Sequence, residues 1–358
     1  MTVPALGLGS EAPVSRRASI EFARTSDGWD LALHRYAGAP SQLARDRPPV
    51  VLCPGYACNR HFMDFDDRYS LARFLAGHGF DAWVLELRGH GYSEQTGVHR
   101  SKGWTFDDLV QYDVPAAVSY VRQRCAGRQL VWVGHSMGGM VMYATLGQDR
   151  EVQQSIAGLV TMASPVAFPA LASRMMRRLG GLFLLLPFPQ HLPQHNVLVA
   201  LWSLISWSPG ATQVGMNPTN VDPRAFGQAL RRCICNVPRS MLRQLAQWSL
   251  TGEFRSGDGR IDYRANLAGI TTPVFTIAGA ADRLAAPEMV RFAYDHVRSA
   301  RKRYREFAAR LGDSADYGHV DLIFGRRAPE EVFPAISAWI EEEVLGSGHD
   351  AVPVPDRS

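Results

Sequence analysis

The sequence predicts an α/β fold, with a mostly parallel sheet covered by helices on both faces. Short apolar stretches rich in β-branched residues alternate with stretches that suit helices from about residue 50 to residue 163, and again after residue 263. Strands that are apolar throughout are typical of a parallel sheet buried on both faces. The chain of 358 residues is 46% hydrophobic, which is enough for one large core or for a core and a cap.

The elements follow in chain order from the spacing of apolar and turn residues. Residues 19–23 and 31–36 flank the turn at Ser26-Asp27-Gly28, which predicts an opening hairpin. An amphipathic pattern, interrupted by Pro115, predicts a helix from about 105 to 124. The other predicted elements are strands at 50–52, 81–87, 130–133, 156–163, 273–279 and 303–308, and helices at about 69–76 and 140–146.

One turn in this series contains a candidate catalytic residue. The strand at 130–133 ends in Gly134-His135-Ser136-Met137-Gly138, and an apolar stretch suited to a helix follows it. A Gly-x-Ser-x-Gly turn between a strand and a helix is typical of a nucleophile elbow, where the serine hydroxyl projects beside the positive end of the helix. The two glycines leave room for the strand and the helix to pass closely. We therefore predict that Ser136 is a nucleophile; the alternative is a glycine-rich turn with an inert serine.

A serine nucleophile needs a base, and the base needs a carboxylate that orients it. In this architecture the three residues follow in the order Ser, Asp or Glu, His. Asp282 stands in the loop after the strand at 273–279, and His319 stands in the loop after the strand at 303–308. Four other carboxylates stay open as the acid: Asp258, Asp313, Asp316 and Asp321.

With these residues in place, the chain resembles an α/β-hydrolase of the serine esterase and lipase branch, from about residue 20 to residue 345. The stretch from Tyr317 through His319 to Gly325 resembles the catalytic-histidine loop of acid-lipase-like members. The resemblance implies that Ser136 is the nucleophile, that His319 is the general base and then the general acid, and that Asp282 is the orienting carboxylate.

The resemblance also implies an oxyanion hole made of two backbone N–H groups. Met137, directly after the nucleophile, supplies one, and Tyr56, in the loop after the strand at 50–52, supplies the other. The family usually has His-Gly where this chain has Pro54-Gly55, so the glycine that the turn requires is kept. We expect Gly55 and His135 to contribute to substrate binding, because His135 is too close in sequence to the nucleophile to act as its base.

The stretch from 165 to 262 breaks the alternation of strands and helices, with helical patterns, proline-containing turns and many large apolar residues. It stands where the family inserts a cap. Trp202 and Trp207 are therefore candidates for an apolar acyl pocket over Ser136; the alternative is that they only pack against the main domain. The predicted domains are a flexible tail (1–18), the hydrolase core (19–164 and 263–346), a helical cap or lid (165–262) and a second flexible tail (347–358).

Composition excludes several other classes. The net charge is +4, and no basic run is interleaved with aromatic residues, so we expect no nucleic-acid partner. The five cysteines are odd in number and irregularly spaced, which favours reduced thiols over a disulfide framework. No metal-ligand spacing occurs, and no window of about 20 apolar residues predicts a membrane span. Since the N-terminal stretch lacks the apolar segment of an export signal, we expect a cytoplasmic location.

The resemblance implies hydrolysis of carboxylic esters of hydrophobic acyl groups through an acyl-enzyme, with no cofactor and no metal. The substrate would be a small-molecule or lipid ester, and peripheral contact of the cap with lipid is a further expectation. The same three residues also serve a thioesterase, a lactonase, an amidase or an acyltransferase. A more remote alternative is a non-catalytic protein of this fold that binds an apolar ligand.

Overall fold

The structure is a computed structural model that describes residues 18–37, 47–95, 103–169, 195–196 and 215–346. Nine strands in this part of the chain form one sheet, in the order β1-β2-β4-β3-β6-β7-β8-β9, with β5 paired to β2. The strands are β1 (Ser19–Arg24), β2 (Trp29–Tyr36), β3 (Val50–Cys53), β4 (Ala82–Leu85), β5 (Glu94–Gln95), β6 (Leu130–His135), β7 (Ile156–Met162), β8 (Val274–Gly279) and β9 (Lys302–Phe307).

The sheet is mostly parallel, which confirms the predicted fold class. The first hairpin and the β2–β4 and β2–β5 pairs are antiparallel, whereas each pair from β4 through β3 and β6 to β9 is parallel. Strands β3, β4, β6 and β8 are buried along their whole length, because helices cover both faces. The carboxyl ends of the parallel strands therefore meet at one edge of the sheet, where loops can bring distant residues together.

The helices of the described chain lie on the two sides of this sheet. They are α1 (Leu71–Gly77), α2 (Phe106–Asp108), α3 (Val114–Arg124), α4 (Met137–Leu146), α5 (Arg150–Ser155), α6 (Pro223–Cys233), α7 (Arg239–Thr251), α8 (Tyr263–Asn266), α9 (Pro287–His296), α10 (Asp321–Phe324) and α11 (Ala328–Trp339). Neighbouring residues of β6 point to opposite faces of the sheet. Trp132 packs with α3 and α4 in one core cluster, and Val133 packs with α1 and α11 in the other.

The predicted helix at 105–124 forms, but not as one regular α-helix. Its first turn, α2, carries a capping box between Thr105 and Asp108. A π-helical turn at Leu109–Asp113 follows, and α3 then begins just before Pro115. Proline has no N–H to give to the preceding turn, so the regular hydrogen-bond ladder breaks at this point.

Part of the predicted cap lies within the described residues. Helix α7 buries Met241 and Trp248 in the same core cluster as α3 and α4. Residues 170–194 and 197–214 lie outside the described residues, and so do Trp202, Trp207 and nearly all of both predicted tails. The cap boundaries therefore stay a prediction.

Two further predictions can be compared with the structure. All five cysteines, which lie within the described residues, are free thiols, as the sequence predicts. None of the helices that the structure describes has both the length and the apolar character that crossing a lipid bilayer requires.

Candidate active site

Ser136 lies in the turn between β6 and α4, with backbone angles φ +51° and ψ −120°. The turn is very tight: a Cβ added to Gly134 would lie 2.4 Å from the backbone of Gly138. The backbone N–H of Ser136 donates to the carbonyl of Met162 on β7 at 2.7 Å, which ties the turn to the sheet. Since α4 begins at Met137, the first N–H groups of that helix lie beside the serine and have no acceptor within the helix.

The loop after β3 lies directly against this turn. A Cβ added to Gly138 would lie 2.1 Å from the carbonyl oxygen of Cys53, and one added to Gly55 would lie 3.1 Å from Cβ of Ser136. At Gly138 a larger residue would force the loop away, and at Gly55 it would make a tight contact with the serine. The loop then turns, with the Cys58 N–H donating to the Gly55 carbonyl at 3.2 Å. Tyr56 lies in this turn, between Gly55 and Cys58.

Asp282 and His319 lie in the loops that follow β8 and β9, and they contact each other. His319 Nδ1 donates to Asp282 Oδ2 at 2.8 Å, and the two side chains are 7% and 0% exposed. The other carboxylate oxygen of Asp282 accepts backbone N–H groups from Leu284 and Ala285 at 2.9 and 2.8 Å. Because Nδ1 faces a carboxylate oxygen, it is the nitrogen that carries the hydrogen, and Nε2 is left to accept a proton.

The four other carboxylates that the sequence left open make different contacts. Of the five, Asp282 is the one hydrogen-bonded to His319. Asp258 accepts from Ser256, Asp313 pairs with Arg305, Asp316 accepts the N–H of Ala309, and Asp321 accepts from Asn217 and Asn220. Asp321 is completely buried, and burial raises the pKa of its carboxyl to about 6, with a contribution from the charge of Asp282.

Asn217 and Asn220 hold Asp321 next to the histidine loop, and no motif in the sequence predicts this role. The N–H of Asn217 lies 3.1 Å from one oxygen of Asp321, and Nδ2 of Asn220 lies 3.0 Å from the other. Val320 N–H also donates to the carbonyl of Gly215 at 3.0 Å. The segment 215–221 therefore lines the histidine loop. The local signal was an Asn-Pro turn at 217–218, which marks a turn and not its partner.

His135 connects the turn of Ser136 with the loop of His319. Its ring centroid lies 4.8 Å from that of His319 and 4.6 Å from that of Phe62. Its Nε2 lies 2.9 Å from the backbone carbonyl oxygen of His319. The side chain is 2% exposed. His135 thus packs against the histidine loop, and its predicted contact with substrate stays a prediction.

The arrangement brings a strained serine and a carboxylate–imidazole pair to one edge of the sheet. Within the described part of the chain, Ser136 Oγ and His319 form no hydrogen bond with each other, so their contact belongs to the proposal below. The described residues also contain no group of three or more His, Cys, Asp or Glu arranged to hold a metal ion.

The chain is similar to a family of hydrolases and to proteins named as lipases. The family described as alpha/beta hydrolase fold matches residues 48–325. The lysosomal acid lipase/cholesteryl ester hydrolase of Rattus norvegicus is 31% identical over 169 residues, which are 44% of this chain and 42% of that protein. Lipase member K of Homo sapiens is 24% identical over 352 residues, or 89% of this chain and 86% of that protein. The match thus spans about two fifths of the length of the rat relative.

Solved structures show the same fold. An esterase from Thermogutta terrifontis superposes with a TM-score of 0.56 at 17% identity, covering 91% of this chain and 100% of that one. A monoacylglycerol lipase from Paleococcus ferrophilus superposes with a TM-score of 0.58 at 17% identity, covering 87% and 99%.

Proposed function

Because the chain belongs to the α/β-hydrolase family, we propose that it is a serine hydrolase that cleaves carboxylic esters of hydrophobic acyl groups. The observation that carries the proposal is the buried 2.8 Å hydrogen bond between His319 and Asp282 at the sheet edge that also holds the strained turn of Ser136. The names of the matched relatives, which are lipases, support an ester as the substrate.

In the first half of the reaction, Ser136 Oγ attacks the ester carbonyl carbon while His319 Nε2 takes the hydroxyl proton. Asp282 holds Nδ1–H and offsets the charge of the imidazolium. The oxyanion that forms accepts hydrogen bonds from the backbone N–H groups of Met137 and Tyr56. Each such donor stabilises the transition state by about 3–4 kcal/mol in other serine hydrolases.

The tetrahedral intermediate then collapses and the bond to the leaving alcohol breaks, which completes the acylation half of the reaction. His319 gives its proton to the alcohol oxygen, which leaves an acyl group on Ser136. Water then enters, His319 takes one of its protons, and the hydroxyl attacks the acyl carbon. The second collapse releases the carboxylic acid and returns the proton to Ser136.

The substrate class is part of the same proposal. The relatives named above include a cholesteryl ester hydrolase, and that name concerns an ester with large apolar parts. We assign the acyl group to a pocket lined in part by Trp202, Trp207 and Gly55, with peripheral lipid contact through the cap; His135, which is 2% exposed, is left out of this lining. Catalysis by the three side chains and two amides needs no cofactor. The cytoplasmic location stays a prediction, and some relatives carry "lysosomal" in their names.

Active-site labelling tests the catalytic residue, and product analysis tests the reaction. A fluorophosphonate probe should label the wild-type protein and fail to label Ser136→Ala. Ser249→Ala is a matched control, because Ser249 is exposed on α7 and donates only to a carbonyl one turn earlier. Persistent labelling of Ser136→Ala would contradict the proposal.

A panel of p-nitrophenyl esters from acetyl to palmitoyl, with a thioester, a lactone and an amide of matched acyl length, defines the reaction. We expect the esters to be cleaved fastest, with a preference for longer acyl chains. Faster cleavage of the thioester, the lactone or the amide would replace the proposed substrate class. Ester products formed in the presence of added alcohols would identify an acyltransferase. Labelling and turnover both absent in the wild type would favour the non-catalytic alternative.

A further inference from the structure

His135 makes a hydrogen bond whose direction is fixed by chemistry. Its Nε2 lies 2.9 Å from the backbone carbonyl oxygen of His319, and a carbonyl oxygen can only accept. Nε2 therefore carries the hydrogen, and Nδ1 is the unprotonated nitrogen. Nδ1 is buried and has no hydrogen-bond partner among the described residues. Burial, with the neighbouring His319, lowers the pKa of His135 to about 3, so the ring is neutral at physiological pH.

Packing leaves the ring of His135 little freedom. Phe62 lies on one side at 4.6 Å between ring centroids, and His319 lies on another in an edge-on contact at 4.8 Å. Gly55 lies close to Nδ1, since a Cβ added to that glycine would lie 3.1 Å from this nitrogen. A side chain confined in this way holds its hydrogen-bond partner in place, because neither group can turn without breaking the packing.

The hydrogen bond from His135 to the carbonyl of His319 links the nucleophile turn to the histidine loop. His135 precedes Ser136, so one peptide bond joins it to the proposed nucleophile. Its partner, 184 residues away in sequence, is the main chain of the proposed base. His319 is thus restrained at two atoms: Asp282 holds Nδ1 of the side chain, and His135 holds the carbonyl of the main chain.

We infer that His135 is a positioning residue that sets the distance between Ser136 and His319 by holding the histidine loop against the nucleophile turn. This inference rests on the proposed function and deepens it, since it assigns to His135 a role that acts through His319. Without the donor, the buried carbonyl of His319 would lack its partner, and the loop would relax toward other hydrogen bonds. The imidazole would then be misaligned with the serine hydroxyl more of the time.

Two matched variants separate the hydrogen bond from the packing. His135→Phe keeps a planar ring against Phe62 but has no donor, whereas His135→Gln has an amide N–H that can reach the same carbonyl. We expect His135→Phe to lower kcat for a short p-nitrophenyl ester about tenfold to a hundredfold with little change in KM, which is the effect of an unsatisfied buried acceptor. His135→Gln should recover most of the lost kcat. Thermal melting checks that both variants are folded.

The outcomes decide the inference. Wild-type kcat in His135→Phe would overturn it, and so would equal losses in the Phe and Gln variants, because the ring alone would then be what matters. Loss of probe labelling in Ser136→Ala together with full activity in His135→Phe would remove this inference and leave the proposed function standing. Labelling of Ser136→Ala would remove the proposed function itself.

A measurement on the wild-type protein covers the case in which His135→Phe does not fold. In NMR spectra of protein labelled with ¹⁵N-histidine, the signals missing from His135→Gln belong to His135. They should show a neutral ring with hydrogen on Nε2 from about pH 5 to about pH 9. A ring that titrates within this range, or that carries its hydrogen on Nδ1, would overturn the inference.

Discussion

Arg88 and Asp113 form an ion pair in which both side chains are almost entirely withdrawn from water. They are 2% and 0% exposed, and Nε of Arg88 lies 2.7 Å from a carboxylate oxygen. The backbone N–H of Arg88 donates to the other oxygen at 2.9 Å. Asp27 binds the far side of the guanidinium at 2.7 Å. The pair joins the loop after β4 to the π-helical turn that precedes α3.

Removing one partner of this pair should be costly. Asp113→Asn leaves a buried guanidinium with only Asp27 to offset its charge. We expect the free energy of unfolding, measured with urea, to fall by about 3–5 kcal/mol. Asp67→Asn is the control, since Asp67 pairs with Arg73 but is 80% exposed, and its loss should cost less than about 1 kcal/mol. Equal losses in the two variants would contradict the argument.

The surroundings of Asp282 predict the outcome of replacing it by asparagine. Two backbone N–H groups, from Leu284 and Ala285, require an oxygen at one end of the side chain. The amide nitrogen of Asp282→Asn must then face His319 Nδ1, which forces the hydrogen onto Nε2. That nitrogen can no longer take a proton from Ser136, so we expect kcat to fall about 10⁴-fold.

The ester assay that defines the substrate checks this, with Asp258→Asn as the control. Asp258 was an alternative acid, and it is exposed and hydrogen-bonded to Ser256. We expect this control to keep wild-type kcat. A fall in kcat for Asp258→Asn with none for Asp282→Asn would reverse the assignment of the acid.

Gly138→Ala tests the close approach of the loop after β3. The new Cβ would lie 2.1 Å from the carbonyl oxygen of Cys53, so the loop that carries Tyr56 must move. Such overpacking should cost about 1–3 kcal/mol of stability. A shift of about 1 Å at Tyr56, the proposed oxyanion donor, should lower kcat/KM roughly a hundredfold. Gly346→Ala, where the nearest atom is 3.9 Å away, should change neither quantity; an active and stable Gly138→Ala would disprove the tight contact.

Asp321 predicts a pH dependence of stability. Burial raises its pKa from 3.8 to about 6, so between these values the folded protein binds a proton that the unfolded chain does not. This group therefore adds stability at low pH, and the contribution is lost as the pH rises through about 6. The Tm of the wild type relative to Asp321→Asn should thus fall as the pH is raised from about 4.5 to about 7.5. A difference that grows over this range would contradict the assignment.

The sheet could be predicted from the sequence, because the residues of each central strand are sufficient to identify it as a buried strand. The residues of β6 and β8 are apolar and β-branched on both faces, and loop residues follow them at once. The short strand β5 and the helices α9 and α11 were not predicted. Helix α9 begins at a proline, a start signal that the spacing of apolar residues does not contain.

The contacts within the site are less readable than the elements. Without the family resemblance, the residues of the sequence left five carboxylates as possible partners for His319. The parallel pairing of β8 with β9 brings Asp282 to it. The hydrogen bonds of Asn217 and Asn220 to Asp321 cross about 100 residues of sequence, and no periodicity relates such positions. The role inferred for His135 likewise depends on a backbone carbonyl, which has no signature in the sequence.

At Ser136, the positive φ opposes what the fold favours to what the proposed reaction needs. The backbone of this residue lies in a region of positive φ, which glycine adopts freely and residues with a side chain rarely adopt. Glycine would relieve the turn, but it has no hydroxyl. Selection for heat resistance alone would therefore replace this residue, and lineages that no longer need the reaction should drift toward glycine here.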